Sequence, residues 1–140
     1  MYKIKDLEVI ENNIPSCYIK ESPVHGMGLF SLQKIPEGAV LTTLDGQYLH
    51  DEIIKNIEVD LEKHEYNYLP SQNSWLVRGF LTYYSAINHS KDYNVKILYE
   101  PFRIVASRDI EKDEEIFLNY EFEKYPNYFI KKYNISISYL

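Results

Sequence analysis

The chain has 140 residues, a length typical of one domain with a single core. Of these residues 45% are hydrophobic and 26% charged, a composition too apolar for a disordered chain. Its net charge of −6 argues against duplex nucleic acid, which is bound by clustered Lys and Arg, and favours a basic partner. A single cysteine excludes an intramolecular disulfide, and the four histidines form no local metal motif. No apolar run approaches the roughly 18 residues of a membrane span, so we expect an intracellular protein.

Turn-forming residues divide the first half of the chain into short predicted strands. Between residues 16 and 48, β-branched and aromatic residues alternate with turn signals such as Pro36-Glu37-Gly38. The pattern then changes, because apolar residues from Ile53 to Leu61 recur near the helical spacing. This predicts one helix, and Asp51 is placed to act as its N-terminal cap.

Two hairpins are predicted in the second half of the chain. Residues 66–70 and 75–77 flank a polar turn and predict the first hairpin. Residues 95–99 and 102–107 are interrupted by Glu100-Pro101 and predict the second.

The C-terminal part predicts one more strand and a short helix. The run 115–120 has the composition of a strand, and Pro126 stands at the first position of the predicted helix. The acidic run from Asp109 to Glu115, taken alone, predicts a solvated turn.

Two segments of the chain echo each other. Residues 30–41 and 105–116 each predict a strand, a tight turn and a second strand. The matched pairs are Ile35 with Ile110, Gly38 with Asp113, and Leu41 with Ile116. Two such units predict a mostly antiparallel β fold with pseudo-twofold character.

Three short motifs carry groups that could perform chemistry. Gly26-Met27-Gly28 allows a ligand to approach the backbone closely. Asn88-His89-Ser90 places amide, imidazole and hydroxyl groups after an apolar run, but adjacent residues of an extended chain point to opposite faces, which argues against a Ser–His hydrolase. The hydroxyl of Tyr120, if buried, must be hydrogen-bonded and could orient an amine. Taken singly, these motifs are better explained as a turn, a capped turn and a core tyrosine.

Taken together and in this order, the motifs resemble the SET-domain family of protein lysine methyltransferases. The family's GxGLF motif is matched by Gly26 to Phe30, its NHSxxPN motif by Asn88 to Asn94, and its ELxxDY motif by Glu115 to Tyr120. Tyr93 stands where the family has proline, and Asn119 stands where it has aspartate.

The resemblance implies a fold and a division of the chain. It covers residues 16–122 and implies a mostly β fold, the β-clip of SET domains, with a knot-like C-terminal crossing and one or two short helices. Residues 1–15 are left as an N-terminal segment. Residues 123–140 form an aromatic tail that we expect to pack on the same domain. The alternative is that the tail forms the contact between the two chains of a homodimer.

The resemblance also implies an activity and its site. The activity is S-adenosylmethionine-dependent methyl transfer to the side-chain amine of a lysine. Tyr120 is the implied catalytic residue, and Leu44 and Ile97 are the implied substrate channel residues, with no metal. The implied cofactor-binding residues are Gly26, Met27, Gly28, Tyr83, Asn88, His89, Tyr120 and Phe122.

The expected substrate is a lysine in a basic protein or peptide, with histones as one candidate. The net charge, together with acidic residues near Leu44 such as Asp45, Asp51 and Glu52, would attract cations. Leu44 and Ile97 stand where several family members carry channel tyrosines, which leaves the number of methyl groups open.

Two alternatives to an active enzyme remain at this point. The first is a catalytically inactive SET-like binding module. The second is a non-enzymatic SAF-like β-clip domain, which shares the turn at Ile35 to Gly38 but has no reason to combine the Asn88-His89 motif with Tyr120.

Overall fold

Short strands make up most of the regular structure. The computed structural model describes residues 10–122 and 125–134, so parts of the expected N-terminal segment and tail lie outside the described residues. The strands are β1 (Ile10–Glu11), β2 (Cys17–Glu21), β3 (Met27–Ser31), β4 (Val40–Thr43), β5 (Gln47–His50), β6 (Glu65–Leu69), β7 (Ser74–Arg78), β8 (Leu81–Thr82), β9 (Asn88–His89), β10 (Val95–Leu98), β11 (Arg103–Ala106) and β12 (Phe117–Leu118). The α-helices are α1 (Asp51–Lys55) and α2 (Asn127–Lys132). The predicted mostly β fold with short helices is confirmed.

Small sheets, rather than one large sheet, organise the chain. Two sheets have three strands, in the orders β5-β7-β6 and β10-β11-β4, and both are antiparallel throughout. β2 pairs with β3 antiparallel, whereas β1 pairs with β8 and β12 pairs with β9 in parallel. Both predicted hairpins are confirmed, with Tyr66 opposite Val77 in the first and Ile97 opposite Ile104 in the second.

The internal echo is visible in the structure as a symmetric contact. The backbone N–H of Ile35 donates to the carbonyl of Ile110 at 2.8 Å, and the N–H of Ile110 donates to the carbonyl of Ile35 at 2.8 Å. The matched turn residues Gly38 and Asp113 both have positive φ, at 86° and 64°. The predicted pseudo-twofold relation is therefore confirmed at its centre.

The predicted helix after residue 50 is shorter than expected and is capped by a different residue. His50 is the N-terminal cap, because its Nδ1 accepts the backbone N–H of Glu52 at 3.1 Å. The capping role predicted for Asp51 is wrong, since Asp51 is buried and accepts hydrogen bonds from distant residues instead. The helix ends at Lys55, and Ile57 and Leu61 lie exposed beyond it.

The predicted strand over 115–120 changes partners along its length. Glu115 bridges to Phe30, and the N–H of Ile116 donates to Leu29 O at 2.7 Å, whereas β12 pairs with β9. Tyr120 then begins a short 3-10 helix, Tyr120–Phe122. Further on, Pro126 is the residue before α2 rather than its first residue.

β12 passes between β9 and the loop that follows it. The carbonyl of Leu118 accepts the N–H of Ser90 at 3.0 Å. The N–H of Phe117 donates to Asn94 Oδ1 at 2.8 Å, and its carbonyl accepts the N–H of Asn94 at 3.2 Å. This arrangement is the C-terminal crossing that the resemblance implied, and it brings Tyr120 next to His89 and the Ile87 carbonyl.

Two hydrophobic clusters support the fold. The larger one packs residues from both echo units, including Ile35, Leu41 and Ile110. The smaller one surrounds Trp75, which is fully buried and has the ring centroid of Phe129 at 4.4 Å. The part of the tail that is described, through α2, therefore packs on the β5-β7-β6 sheet. Among residues 10–122 and 125–134, no helix is long and apolar enough to cross a membrane.

Candidate active site

The glycine motif and the Asn88-His89 motif meet through one side chain. Asn88 is 9% exposed, and its Nδ2 donates to the carbonyl of His25 at 2.8 Å and to that of Met27 at 3.0 Å. Gly26 has a φ of 50°, a left-handed conformation that glycine adopts without strain. Asn88 thus fixes the path of the Gly26 to Gly28 backbone, although 61 residues separate it from Met27.

The absence of a side chain at Gly28 leaves room for a buried carboxylate. A Cβ atom at Gly28 would lie 2.5 Å from Glu115 Oε2, too close for any real contact. Glu115 is buried, and its carboxylate accepts from Ser22 Oγ at 2.8 Å and from Asn88 Nδ2 at 3.1 Å. The expectation of a solvated turn is therefore wrong for Glu115, because this residue bridges to Phe30 and its side chain is buried.

Tyr120 is held by its backbone and its hydroxyl. Its N–H donates to His89 Nδ1 at 3.0 Å, and the two rings have centroids 5.3 Å apart. Burial lowers the pKa of His89, which favours the neutral imidazole that this acceptor role requires. The hydroxyl of Tyr120 donates to the carbonyl of Ile87. Its oxygen keeps lone pairs that can accept a hydrogen bond from a ligand.

The two predicted channel residues lie in different surroundings. Leu44 is 3% exposed, follows β4 and donates its N–H to Phe102 O at 2.8 Å. Ile97 is half-buried on β10 and lines a cleft of about 210 Å³. The lining residues are Tyr93, Val95, Lys96, Ile97, Tyr99, Leu118, Asn119 and Phe122. Leu44 and Tyr120 are not among them.

The two aromatic residues that were predicted at the cofactor differ in exposure. Tyr83 is half-buried in the 3-10 helix Tyr83–Ala86 and packs against the larger hydrophobic cluster. Phe122 is 58% exposed, and its ring meets Tyr93 edge-on with centroids 5.4 Å apart. Phe122 therefore belongs to the cleft beside Ile97.

The acidic residues near Leu44 do not all face solvent. Asp45 and Glu52 are exposed, and Glu52 has an exposed ion pair with Lys55 at 3.5 Å. Asp51 is 8% exposed, and its carboxylate accepts from the Trp75 indole at 2.7 Å. The expectation that Asp51 attracts cations is wrong for this reason.

Other reactive groups do not extend the site. Burial raises the pKa of the Cys17 thiol to about 11, so this residue is not a thiolate at neutral pH. Within the stretches 10–122 and 125–134, no three His, Cys, Asp or Glu side chains are grouped so that they could hold a metal ion.

The comparisons with known proteins agree with this geometry. A family model described as SET domain matches residues 26–121, more than half of the chain. A search of curated proteins finds no significant match.

Solved structures with the same fold come from a polycomb repressive complex. A structure of ctPRC2 in an autoinhibited conformation bound to S-adenosylmethionine is 25% identical, with a TM-score of 0.60 over 85% of this chain and 16% of that chain. Apo ctPRC2 with two mutations in Ezh2 is 26% identical, with a TM-score of 0.59 over 83% of this chain and 16% of that chain.

A humanized mutant of the Chaetomium thermophilum complex bound to an inhibitor is 22% identical, with a TM-score of 0.63 over 91% of this chain and 17% of that chain, and supports the fold alone. The chain thus spans less than a fifth of these neighbours' own length. The match of the family model over residues 26–121 shows that the chain belongs to the SET domain family.

Proposed function

We propose that the protein is a protein-lysine N-methyltransferase that transfers a methyl group from S-adenosylmethionine to a lysine side chain of a basic protein. The observation that carries this proposal is one hydrogen-bonded cluster built from three distant segments. It joins the Met27 carbonyl, Asn88, His89 and Tyr120. A structural turn or a core tyrosine alone would not need all of these groups in one place.

The polar groups of the cluster suit a cationic cofactor. The carbonyls of His25, Met27 and Ile87 and the carboxylate of Glu115 all present oxygen acceptors around Asn88 and Tyr120. S-adenosylmethionine, when bound, supplies an electrophilic methyl group on a positively charged sulfur, together with an ammonium group. We assign its binding to the Gly26 to Gly28 backbone, Asn88 and His89, with Tyr83 and Phe122 as flanking aromatic residues.

The role of Asn88 in binding follows from its existing hydrogen bonds. Its Nδ2 carries two hydrogens, and three protein acceptors already surround that atom. Asn88 would therefore contact a cofactor through its Oδ1, which can accept a hydrogen bond from an ammonium group.

Tyr120 acts on the lysine amine by orientation. Only a neutral amine has the lone pair that attacks a methyl carbon, and at pH 7.4 roughly one lysine in a thousand is neutral in water. The positive charge of a bound cofactor and a channel without water would both lower the pKa of the lysine amine. The Tyr120 oxygen, fixed by its bond to the Ile87 carbonyl, can accept an amine hydrogen and aim the lone pair.

The substrate class follows from charge and from the cleft. The chain has a net charge of −6, and Asp45 and Glu52 are exposed near the predicted channel residue Leu44. The cleft beside Ile97, the second predicted channel residue, offers a place where a substrate segment could bind. One neighbouring structure is a ctPRC2 complex with two forms of histone H3, one of them trimethylated. We therefore propose a basic segment, with histones as the first candidates.

Replacing Asn88 with alanine should weaken S-adenosylmethionine binding by about 1 to 3 kcal/mol, roughly 5-fold to 150-fold. The substitution removes the proposed Oδ1 acceptor and also the donor that shapes the Gly26 to Gly28 backbone. Titration calorimetry measures the binding. The control is Asn56→Ala, because Asn56 is exposed, whereas Asn94 is buried. A folded Asn88→Ala protein that binds as tightly as the parent would show that the cofactor assignment is wrong.

Methylation should favour basic peptides, and the preference should weaken as salt screens the acidic surface. The measurement is the initial rate on basic and acidic peptides that share one central lysine, at low and at high ionic strength. Equal rates on both peptides at low salt would contradict the proposed substrate class.

The two alternatives differ in what supports them. The match to the SET domain family argues against the SAF-like domain. An inactive binding module is distinguished by incubating the pure protein with labelled S-adenosylmethionine and a panel of basic proteins.

A further inference from the structure

A buried ion pair lies between the proposed channel and the proposed cofactor site. Arg78 Nε and Glu65 Oε1 are 2.6 Å apart, and each side chain is 3% exposed. These two residues face each other on neighbouring strands, β7 and β6. Burying a charged pair costs free energy, and apolar residues of similar volume often serve stability as well or better. Stability alone therefore gives no reason for this pair.

Arg78 extends toward the channel side. Its Nη1 donates to the carbonyl of Asp45 at 2.7 Å. Asp45 directly follows Leu44, the predicted channel residue, and precedes Gly46, where a Cβ would lie 2.5 Å from the carbonyl oxygen of Val77. The guanidinium thus fixes the turn that carries Leu44.

Glu65 extends toward the cofactor side. Its Oε1 accepts the hydroxyl of Thr82 at 2.7 Å, and its Oε2 accepts the backbone N–H of the same residue. Thr82 immediately precedes the 3-10 helix Tyr83–Ala86, which leads directly to Asn88. A further link comes from Asn67, which accepts from Arg78 and donates to the Tyr84 hydroxyl at 3.0 Å.

We propose that Glu65 and Arg78 form a positioning pair that fixes the Leu44 turn relative to the segment leading to Asn88. The assignment of these two segments to channel and cofactor rests on the proposed function. The pair touches neither substrate nor cofactor. It acts by holding both segments at once: Arg78 bonds the Asp45 carbonyl at one end and Glu65 bonds Thr82 at the other, so that amine and methyl group meet in line.

The first test uses the double variant Glu65→Leu/Arg78→Met, in which apolar residues replace the pair. We expect a folded protein in which the amides of residues 44–46 and of residues 82–88 both exchange with solvent about tenfold faster, while those of β10 and β11 do not change. The exposed pair replaced in Glu52→Leu/Lys55→Met is the matched control. Loosening of neither segment, or of only one, would overturn the inference.

The second test is the isosteric variant Thr82→Val, which removes only a hydroxyl donor and should fold. We expect the Kd for S-adenosylmethionine to rise about fivefold in Thr82→Val and to stay near the parent value in Thr82→Ser, which keeps the hydroxyl. Equal Kd values in Thr82→Val and the parent would overturn the inference on the cofactor side. Failure of the parent to bind S-adenosylmethionine would overturn the proposed function instead, while amide exchange in the unliganded protein would still decide the positioning role.

Discussion

Tyr120→Phe should lower the rate of methyl transfer by at least about a hundredfold, equivalent to roughly 2.7 kcal/mol of transition-state free energy. The substitution leaves the ring in place beside His89 and leaves the backbone bond of residue 120 to His89 Nδ1 intact. It removes only the hydroxyl that the Ile87 carbonyl orients. The amine then loses the group that aims its lone pair, whereas the fold and the cofactor contacts remain. Single-turnover methyl transfer with saturating S-adenosylmethionine measures the effect.

Tyr18→Phe provides the matched control for this prediction. Tyr18 also has a hydroxyl in a hydrogen bond, to Asp113 at 2.8 Å, but it lies on β2 and outside the cluster. Its loss should leave the rate unchanged. A Tyr120→Phe protein that reacts within threefold of the parent would remove Tyr120 from the mechanism.

Asp51→Ala should destabilise the protein by about 3 kcal/mol. Three side chains donate to this buried carboxylate: the Trp75 indole at 2.7 Å, the Tyr128 hydroxyl at 2.6 Å and the Tyr68 hydroxyl at 3.2 Å. Without the acceptor, the indole N–H of the fully buried Trp75 is left unsatisfied, and α2 loses a polar attachment to the β5-β7-β6 sheet. The free energy of unfolding in urea measures the loss.

The neighbouring substitution Glu52→Ala is the control, because Glu52 is exposed and should contribute little. An Asp51→Ala protein as stable as Glu52→Ala would contradict the role assigned to this carboxylate.

Burial and the bond to Asp51 raise the pKa of Tyr128, so the folded state holds this proton more tightly than the unfolded chain. The free energy of unfolding should therefore fall as the pH rises above about 10, where the unfolded tyrosine ionises.

Elements that depend on local patterns could be predicted from the sequence. The two hairpins follow from strand composition around polar or proline-containing turns, and the similarity of residues 30–41 and 105–116 predicted the pseudo-twofold relation, at whose centre Ile35 bridges to Ile110. In these regions, side-chain alternation and turn chemistry favour the same structure that tertiary packing selects.

Features that depend on distant partners could not be predicted. The acidic side chain of Asp51 has the signature of a helix cap, but the donors that bury it come from β6, β7 and α2. Glu115 belongs to an acidic run, but its buried carboxylate accepts hydrogen bonds from Ser22 and Asn88, which are far away in the sequence. A hydrogen bond between residues far apart in the chain produces no recurring pattern in a single sequence, so it could not be predicted.

The candidate site shows the same division. Its members Gly26 to Gly28, Asn88, His89 and Tyr120 were predicted because they lie in motifs, and the hydrogen bonds of Asn88 and His89 bring these motifs together. Glu65 and Arg78 carry no motif, and only their burial as a pair reveals them.

Methyl transfer by the purified protein tests the central proposal most directly. The chain is incubated with S-adenosylmethionine labelled in its methyl group and with a panel of basic proteins that includes histones, beside the Tyr120→Phe variant. We predict label on a lysine side-chain amine of at least one basic protein with the parent, and at least about a hundredfold less with the variant. Tight binding of S-adenosylmethionine without label on any protein would contradict the proposed activity and identify the chain as a binding module.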